Sequence, residues 1–180
     1  TIEFVPTATE STAKPLASYD DVAAKRITST TGQLVWDYGD RHIEVRAPKT
    51  QAIVGFTDQQ SYELPGVDVR LETPFVSLIF TPLDNQDLID SQQILITAMA
   101  RDRQTGTRYN EDQSELLAIG GPPLLMEPVQ ATIRLKGSQP KSVRPCDLYG
   151  VPQSNAIEVN ADGSFRIDGR SRTYYYEVRR

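Results

Sequence analysis

One histidine and one cysteine are all that this 180-residue chain offers as imidazole and thiol. His42 stands in Arg41-His-Ile-Glu-Val-Arg-Ala47, where alternation sets His42, Glu44 and Arg46 on one face and Ile43, Val45 and Ala47 on the other. The polar set is expected to face solvent. A Ser-His-Asp triad would have to use this residue, and no Gly-x-Ser-x-Gly elbow exists to present a nucleophile. A single histidine also excludes the common multi-histidine zinc sites. Cys146, between Pro145 and Asp147, has no histidine nearby and reads as a buried or inert thiol. Being alone, it can form no internal disulfide. Among 24 acids the best paired carboxylates are Glu111 and Asp112 in Tyr109-Asn-Glu-Asp-Gln113, and Glu127 between an apolar run and Pro128. Glu127 reads more simply as a polar strand end. Asn160-Ala-Asp-Gly163 begins like a calcium loop, but Ser164 and Phe165 stand where further ligands would be needed, so it reads as a hairpin turn. No catalytic residue, metal or cofactor is therefore assigned.

Aromatic side chains are the other way in which such a chain does chemistry, by stacking on sugar rings. Trp36 shares a face with Leu34 and Tyr38, and Tyr174 and Tyr176 share one with Val178; both sets are expected in the core. Tyr175 points the opposite way. Tyr62 and Tyr109 are expected in polar loops, where exposure of an aromatic ring suggests surface use. The candidate glycan contacts are Tyr109 with Arg108, Asn110 and Asp112, and Tyr62. No flat row of three aromatics at strand spacing supports a crystalline-cellulose platform.

The elements that must position these residues are strands. Val67, Val69 and Leu71 alternate with Asp68 and Arg70; Val129, Ala131, Ile133 and Leu135 with Gln130, Thr132 and Arg134; Phe165 and Ile167 with Arg166 and Asp168. Phe75–Phe80 and Ile94–Ala100 are apolar on both faces and are expected mid-sheet. Gly39-Asp40 and Asp162-Gly163 suit tight hairpins, and Leu83-Asp-Asn-Gln86 a wider loop. The one helix signal is Ser18–Arg26, with a capping serine, acids in the first turn and bases in the last. Residues 1–14 read as a linker or a short strand from Ile2 to Val5, and 15–180 as one domain. The expected fold is all-β: a two-sheet antiparallel sandwich of about ten strands with one short N-terminal helix. A closed barrel is the alternative.

The net charge of −5, with 19 Lys and Arg scattered among the acids, gives no basic face for nucleic acid. No apolar run reaches the ~20 residues of a membrane-spanning helix. Thr1 in place of a methionine, with no leader before it, reads as a processed chain or an excerpt.

A succession of patches carries a resemblance: Thr31-Gly-Gln-Leu-Val-Trp-Asp37, Ala47-Pro-Lys-Thr-Gln-Ala-Ile-Val-Gly-Phe56, Val76-Ser-Leu-Ile-Phe-Thr-Pro-Leu-Asp84, Ser91-Gln-Gln-Ile-Leu-Ile-Thr-Ala-Met-Ala-Arg101, Thr105-Gly106, Pro123-Leu-Leu-Met-Glu-Pro-Val129, Leu148-Tyr-Gly150 and Tyr175-Tyr-Glu177. Across roughly residues 27–178 the chain resembles a β-rich C-terminal domain of secreted bacterial (β/α)8-barrel glycoside hydrolases. What the resemblance implies is an ancillary, non-enzymatic domain beside a catalytic barrel of the same polypeptide. The catalytic carboxylates would lie on that barrel, and the location would be secreted, periplasmic or cell-surface. Similar domains often carry Asn-Thr-Gly before an aromatic, whereas this chain has Gln104-Thr-Gly106-Thr-Arg-Tyr109. The expected function is binding of a polysaccharide or oligosaccharide, which keeps the catalytic partner near its substrate. The alternative is a structural domain that braces the barrel, and a small glycan-active enzyme comes last.

Overall fold

A computed structural model describes residues 19–57 and 59–180. The expected linker at 1–14 and the Ser18 cap lie outside the described residues. In chain order the strands are β1 (Asp20–Asp21), β2 (Arg26–Thr28), β3 (Leu34–Asp37), β4 (His42–Ala47), β5 (Thr50–Phe56), β6 (Ser61–Glu63), β7 (Val67–Leu71), β8 (Phe75–Pro82) and β9 (Gln93–Met99). There follow β10 (Asp102–Thr105), β11 (Arg108–Tyr109), β12 (Leu116–Ala118), β13 (Gly121–Met126), β14 (Ala131–Leu135), β15 (Ser142–Pro145), β16 (Ser164–Ile167) and β17 (Tyr175–Arg179). The described fold is all-β, and every strand pairing is antiparallel. The strands outnumber the ten expected because short pieces such as β1 and β11, two residues each, pair as separate strands.

Two sheets share one apolar core in a sandwich-like arrangement. The larger has the order β1-β2-β3-β4-β5-β8-β9-β17-β15 and the smaller β16-β14-β7-β6. Ile53, Leu78, Phe80, Ile94, Ile96 and Val178 from the first meet Val67, Val69, Leu71, Ile133, Phe165 and Ile167 from the second. Both runs that are apolar on two faces became β8 and β9, in the interior of the nine-stranded sheet, as their composition requires. The Gly39-Asp40 turn closes the β3–β4 hairpin, whose last pair is Asp37 with His42.

Nine strands are wider than four. The core is supplied from β5, β8, β9, β17 and β15, so β1–β4 extend past the smaller sheet. This overhang corrects two expectations. Trp36 is 50 % exposed, with Leu34 and Ile43 also exposed, whereas His42 is only 4 % exposed. The faces are the reverse of those expected, because β4 sets its polar residues inward. Across the sheet Val35, Glu44, Ile53, Leu78 and Ala98 form one inner rung, and Trp36, Ile43, Val54, Ser77 and Met99 form the outer rung beside it.

No helix occurs among the described residues, and the segment expected to be one is a hairpin. Asp21 Oδ1 accepts from the Ala24 amide at 2.9 Å, Lys25 adopts φ 54°, and Arg26, Ile27 and Thr28 pair with Asp37, Trp36 and Val35. Two helical turns are too short to persist alone. Pairing with β3 offers the same backbone a continuing ladder.

A ribbon leaves the sheets at Arg101 and returns at Glu127. Among the described residues its strands β10 and β13 pair only with each other, as do β11 and β12. Arg101 and Glu127 clamp its base through hydrogen bonds of 2.8 and 3.0 Å. Leu116, Leu117, Ile119, Leu124, Leu125 and Met126 on it are all exposed.

Candidate functional site

Three surfaces compete for a functional role: a polar cleft under the overhang, the ribbon, and the outer face of the large sheet. The cleft, of about 590 Å³, lies between the inner side of β4 and the β6 edge of the small sheet. His42 Nε2 stands 3.3 Å from Glu44 Oε1, and Arg46 Nε donates to Glu44 Oε2 at 2.7 Å. Arg26 donates to Asp37 Oδ2 at 2.8 Å. Burial opposes ionisation of Asp37, but the Asp40 amide and the Arg26 guanidinium outweigh it and hold the carboxyl below the usual range. Lys136 Nζ bridges the Leu64 carbonyl at 2.7 Å and Asp68 Oδ1 at 3.1 Å.

These groups are matched, cation to carboxylate, and are occupied in holding the overhang. A histidine oriented by a carboxylate is half of a nucleophile-activating arrangement. Ser61 lines the same cleft, but no hydrogen bond joins it to the imidazole among the described residues. Tyr62 corrects a further expectation. It is a β6 residue, 7 % exposed, whose ring meets His42 edge-on at 5.2 Å, and it belongs to the core.

The other four glycan candidates come together in one hairpin at the far end of the ribbon. Arg108 and Tyr109 form β11, and Tyr109 is 44 % exposed. Asn110 and Asp112 shape the turn. Asn110 Oδ1 accepts from the Glu115 amide and its Nδ2 donates to Ser114 Oγ, both at 3.0 Å. Asp112 Oδ1 accepts from the Ser114 amide at 3.0 Å and from its hydroxyl at 2.7 Å, and these bonds hold its carboxyl below the usual range. Two of the four side chains are thus already engaged, leaving Arg108 and Tyr109 outward.

The Arg101 guanidinium beside Glu127 overcomes the effect of partial burial and holds that carboxyl low, the opposite of what a general acid needs. Cys146 is buried, and burial pushes its thiol up, away from a reactive thiolate. No helix among the described residues is long and apolar enough to cross a membrane.

The outer sheet face went unrecognised in the sequence. Its outer rung runs Trp36, Ile43, Val54, Ser77, Met99, and Phe56 pairs beside it with Phe75, their rings edge-on at 5.3 Å. Trp36 packs edge-on with Tyr38 at 5.8 Å, and the Arg41 guanidinium lies 4.3 Å over the Phe56 ring. The available signal was that β3 and β4 oppose their apolar and charged residues cleanly, which marks two faces without saying which is covered. For the ribbon the signal was Leu116-Leu-Ala-Ile119 and Leu124-Leu-Met126, apolar on both parities in segments too short to be core strands.

Compared with family models, with curated proteins and with solved structures, the chain matches none.

Proposed function

We propose that this chain is a β-sandwich ancillary domain, without catalysis of its own, that braces a neighbouring domain through the outer face of its nine-stranded sheet. The observation that supports this reading is the half-exposed Trp36 on an open apolar face with Leu34, Ile43, Phe56 and Met99. Contiguous apolar surface of this kind is rare on monomers and marks contact with another protein. Covering each such side chain contributes on the order of 1 kcal/mol, so a few suffice for a stable seat. The resemblance to domains appended to secreted bacterial glycoside hydrolases makes a (β/α)8 barrel of the same polypeptide the expected occupant, and a polysaccharide-rich exterior the expected location.

Glycan binding is the second reading, favoured by the outward Arg108 and Tyr109 on the ribbon. Affinity electrophoresis through xylan, β-glucan, mannan and pectin gels separates the two, run together with light scattering. Bracing predicts no retention in any gel. It also predicts concentration-dependent self-association that a Trp36→Ser, Ile43→Ser, Met99→Ser variant loses without a change in unfolding midpoint. Retention that Tyr109→Ala abolishes would establish glycan binding instead. Retention abolished by Trp36→Ala would turn the sheet face itself into the glycan platform and overturn bracing.

A further inference from the structure

At the root of the ribbon the sheets part around a cavity of about 430 Å³, within the ~300–1,000 Å³ span of small-molecule sites. Its walls are mostly apolar: Ala98 of β9, Leu124 and Met126 from one face of β13, and Val129 before β14. Of the polar side chains on the lining, Glu127 is held by Arg101, Thr173 donates to the Cys146 carbonyl and Tyr174 is half-buried, which leaves Tyr176 and Arg172. Tyr176 of β17 is 2 % exposed, with its ring in the core. Its hydroxyl has no hydrogen-bond partner among the described residues, yet is not sealed off, and its side chain lines the cavity. Arg172, at the rim, is exposed and makes no ion pair among the described residues. Its neighbours differ, since Arg170 pairs with Asp168 at 3.2 Å and Arg101 with Glu127 at 2.8 Å.

The cavity's width is set by a backbone approach. A Cβ at Gly169, where φ is +81°, would lie 2.3 Å from the Pro128 side chain, so only glycine lets the loop before β17 close on this wall. Of the polar groups on the lining, the Tyr176 phenol is the buried one. Burial, and after it the Asp168 carboxylate, pushes that phenol up to about 12, so it is a hydrogen-bond donor at neutral pH.

We propose that this cavity binds a small aromatic carboxylic acid, its ring among Ala98, Leu124, Met126 and Val129, its carboxylate on Arg172, and a ring hydroxyl opposite Tyr176. The guanidinium selects a planar carboxylate by paired donors. The phenol favours a polar substituent at the far side of the ring. This site shares no residue with the open sheet face, so its fate is independent of the bracing reading.

The test uses the whole chain and three probes, benzoate, 4-hydroxybenzoate and benzyl alcohol, titrated by calorimetry and by amide chemical shifts. Both acids are expected to bind saturably at millimolar concentration or below, with shifts centred on residues 98, 124–129 and 172–176. 4-Hydroxybenzoate should be the tighter. Arg172→Gln, on an exposed side chain, should weaken both acids roughly tenfold by removing a charge-assisted hydrogen bond, and leave benzyl alcohol unchanged. Tyr176→Phe should remove the advantage of 4-hydroxybenzoate over benzoate. No saturable binding of any probe, shifts centred elsewhere, or equal binding of benzoate by the Arg172→Gln variant would each overturn the proposal.

Discussion

Tyr176 gives the sharpest quantitative expectation, because its ring is in the core and its phenol is pushed up to about 12, first by burial and then by Asp168. In the unfolded chain a tyrosine titrates near 10. Between pH 10 and 12, therefore, the unfolded chain has released this proton and the folded one has kept it. The unfolded state binds fewer protons, so stability falls as pH rises. The contribution is whole below pH 10 and is lost as pH climbs through 12. Each unit of separation corresponds to about 1.4 kcal/mol, so the window holds roughly 3 kcal/mol. The perturbation is Tyr176→Phe, which keeps the ring in the core and removes the titrating oxygen. Because the hydroxyl has no partner to lose among the described residues, the variant should match the parent within about 1 kcal/mol near neutral pH. Urea unfolding followed by circular dichroism, at intervals from about pH 8 to about pH 11, gives both stabilities, with their difference isolating this group from every other titration. That difference should be flat to about pH 9.5 and then shift toward the variant by up to about 1.4 kcal/mol per unit. A difference that stays constant through pH 11 refutes the reasoning.

Three other variants probe different parts of the molecule. Phe80→Ala, at a fully buried β8 position, should cost about 3–5 kcal/mol in denaturant unfolding, as truncation of a core aromatic does. Gly55→Ala sets a Cβ 2.4 Å from the Arg41 carbonyl at φ +131°, so it should lose more than about 1 kcal/mol by the same assay. Replacing Leu116, Leu117 and Ile119 of the ribbon together by serine should leave unfolding within about 0.5 kcal/mol of the parent while lowering dye binding, because these side chains are exposed.

How much of this was legible depends on what period-two alternation encodes. It fixes which residues share a face, and so β7, β14 and β16 could be read with their inward sets correct. It does not say which face is covered, since turning a strand over preserves the pattern. For β3 and β4 the answer came from sheet width. The small sheet ends at β6, so the inner side of the overhang meets Tyr62 and a polar cleft, and the apolar side is left outward. His42 and Trp36 were therefore assigned to each other's environments. The Ser18–Arg26 segment failed for a related reason. Its capping and charge pattern suits a helix, but a long-range ladder with β3 competes for the same amides, and local signals do not report that competitor. Arg108, Tyr109, Asn110 and Asp112 lie together on the ribbon, because a hairpin gathers neighbours in sequence. Tyr176 and Arg172 meet Leu124 and Met126 only through the pairing of β17 with β9, which no local pattern encodes.

The matched charges under the overhang have a mechanical consequence. Between β8, β9 and the small sheet the interface is dry, whereas beside β4 it is lined by Arg46, Glu44 and Lys136 and opens to water. Separating polar surfaces that are already wet costs little hydrophobic free energy, so partial opening should start there and run toward the dry end. The two sheets then behave as a clasp with a weak lip and a strong spine. Amides of β3, β4 and β6 should exchange with solvent through small openings, while those of β8 and β9 wait for global unfolding. A partner seated on the outer face of β3 and β4 would stiffen that lip from behind, and slowed exchange in β6, which the partner does not touch, would report its arrival.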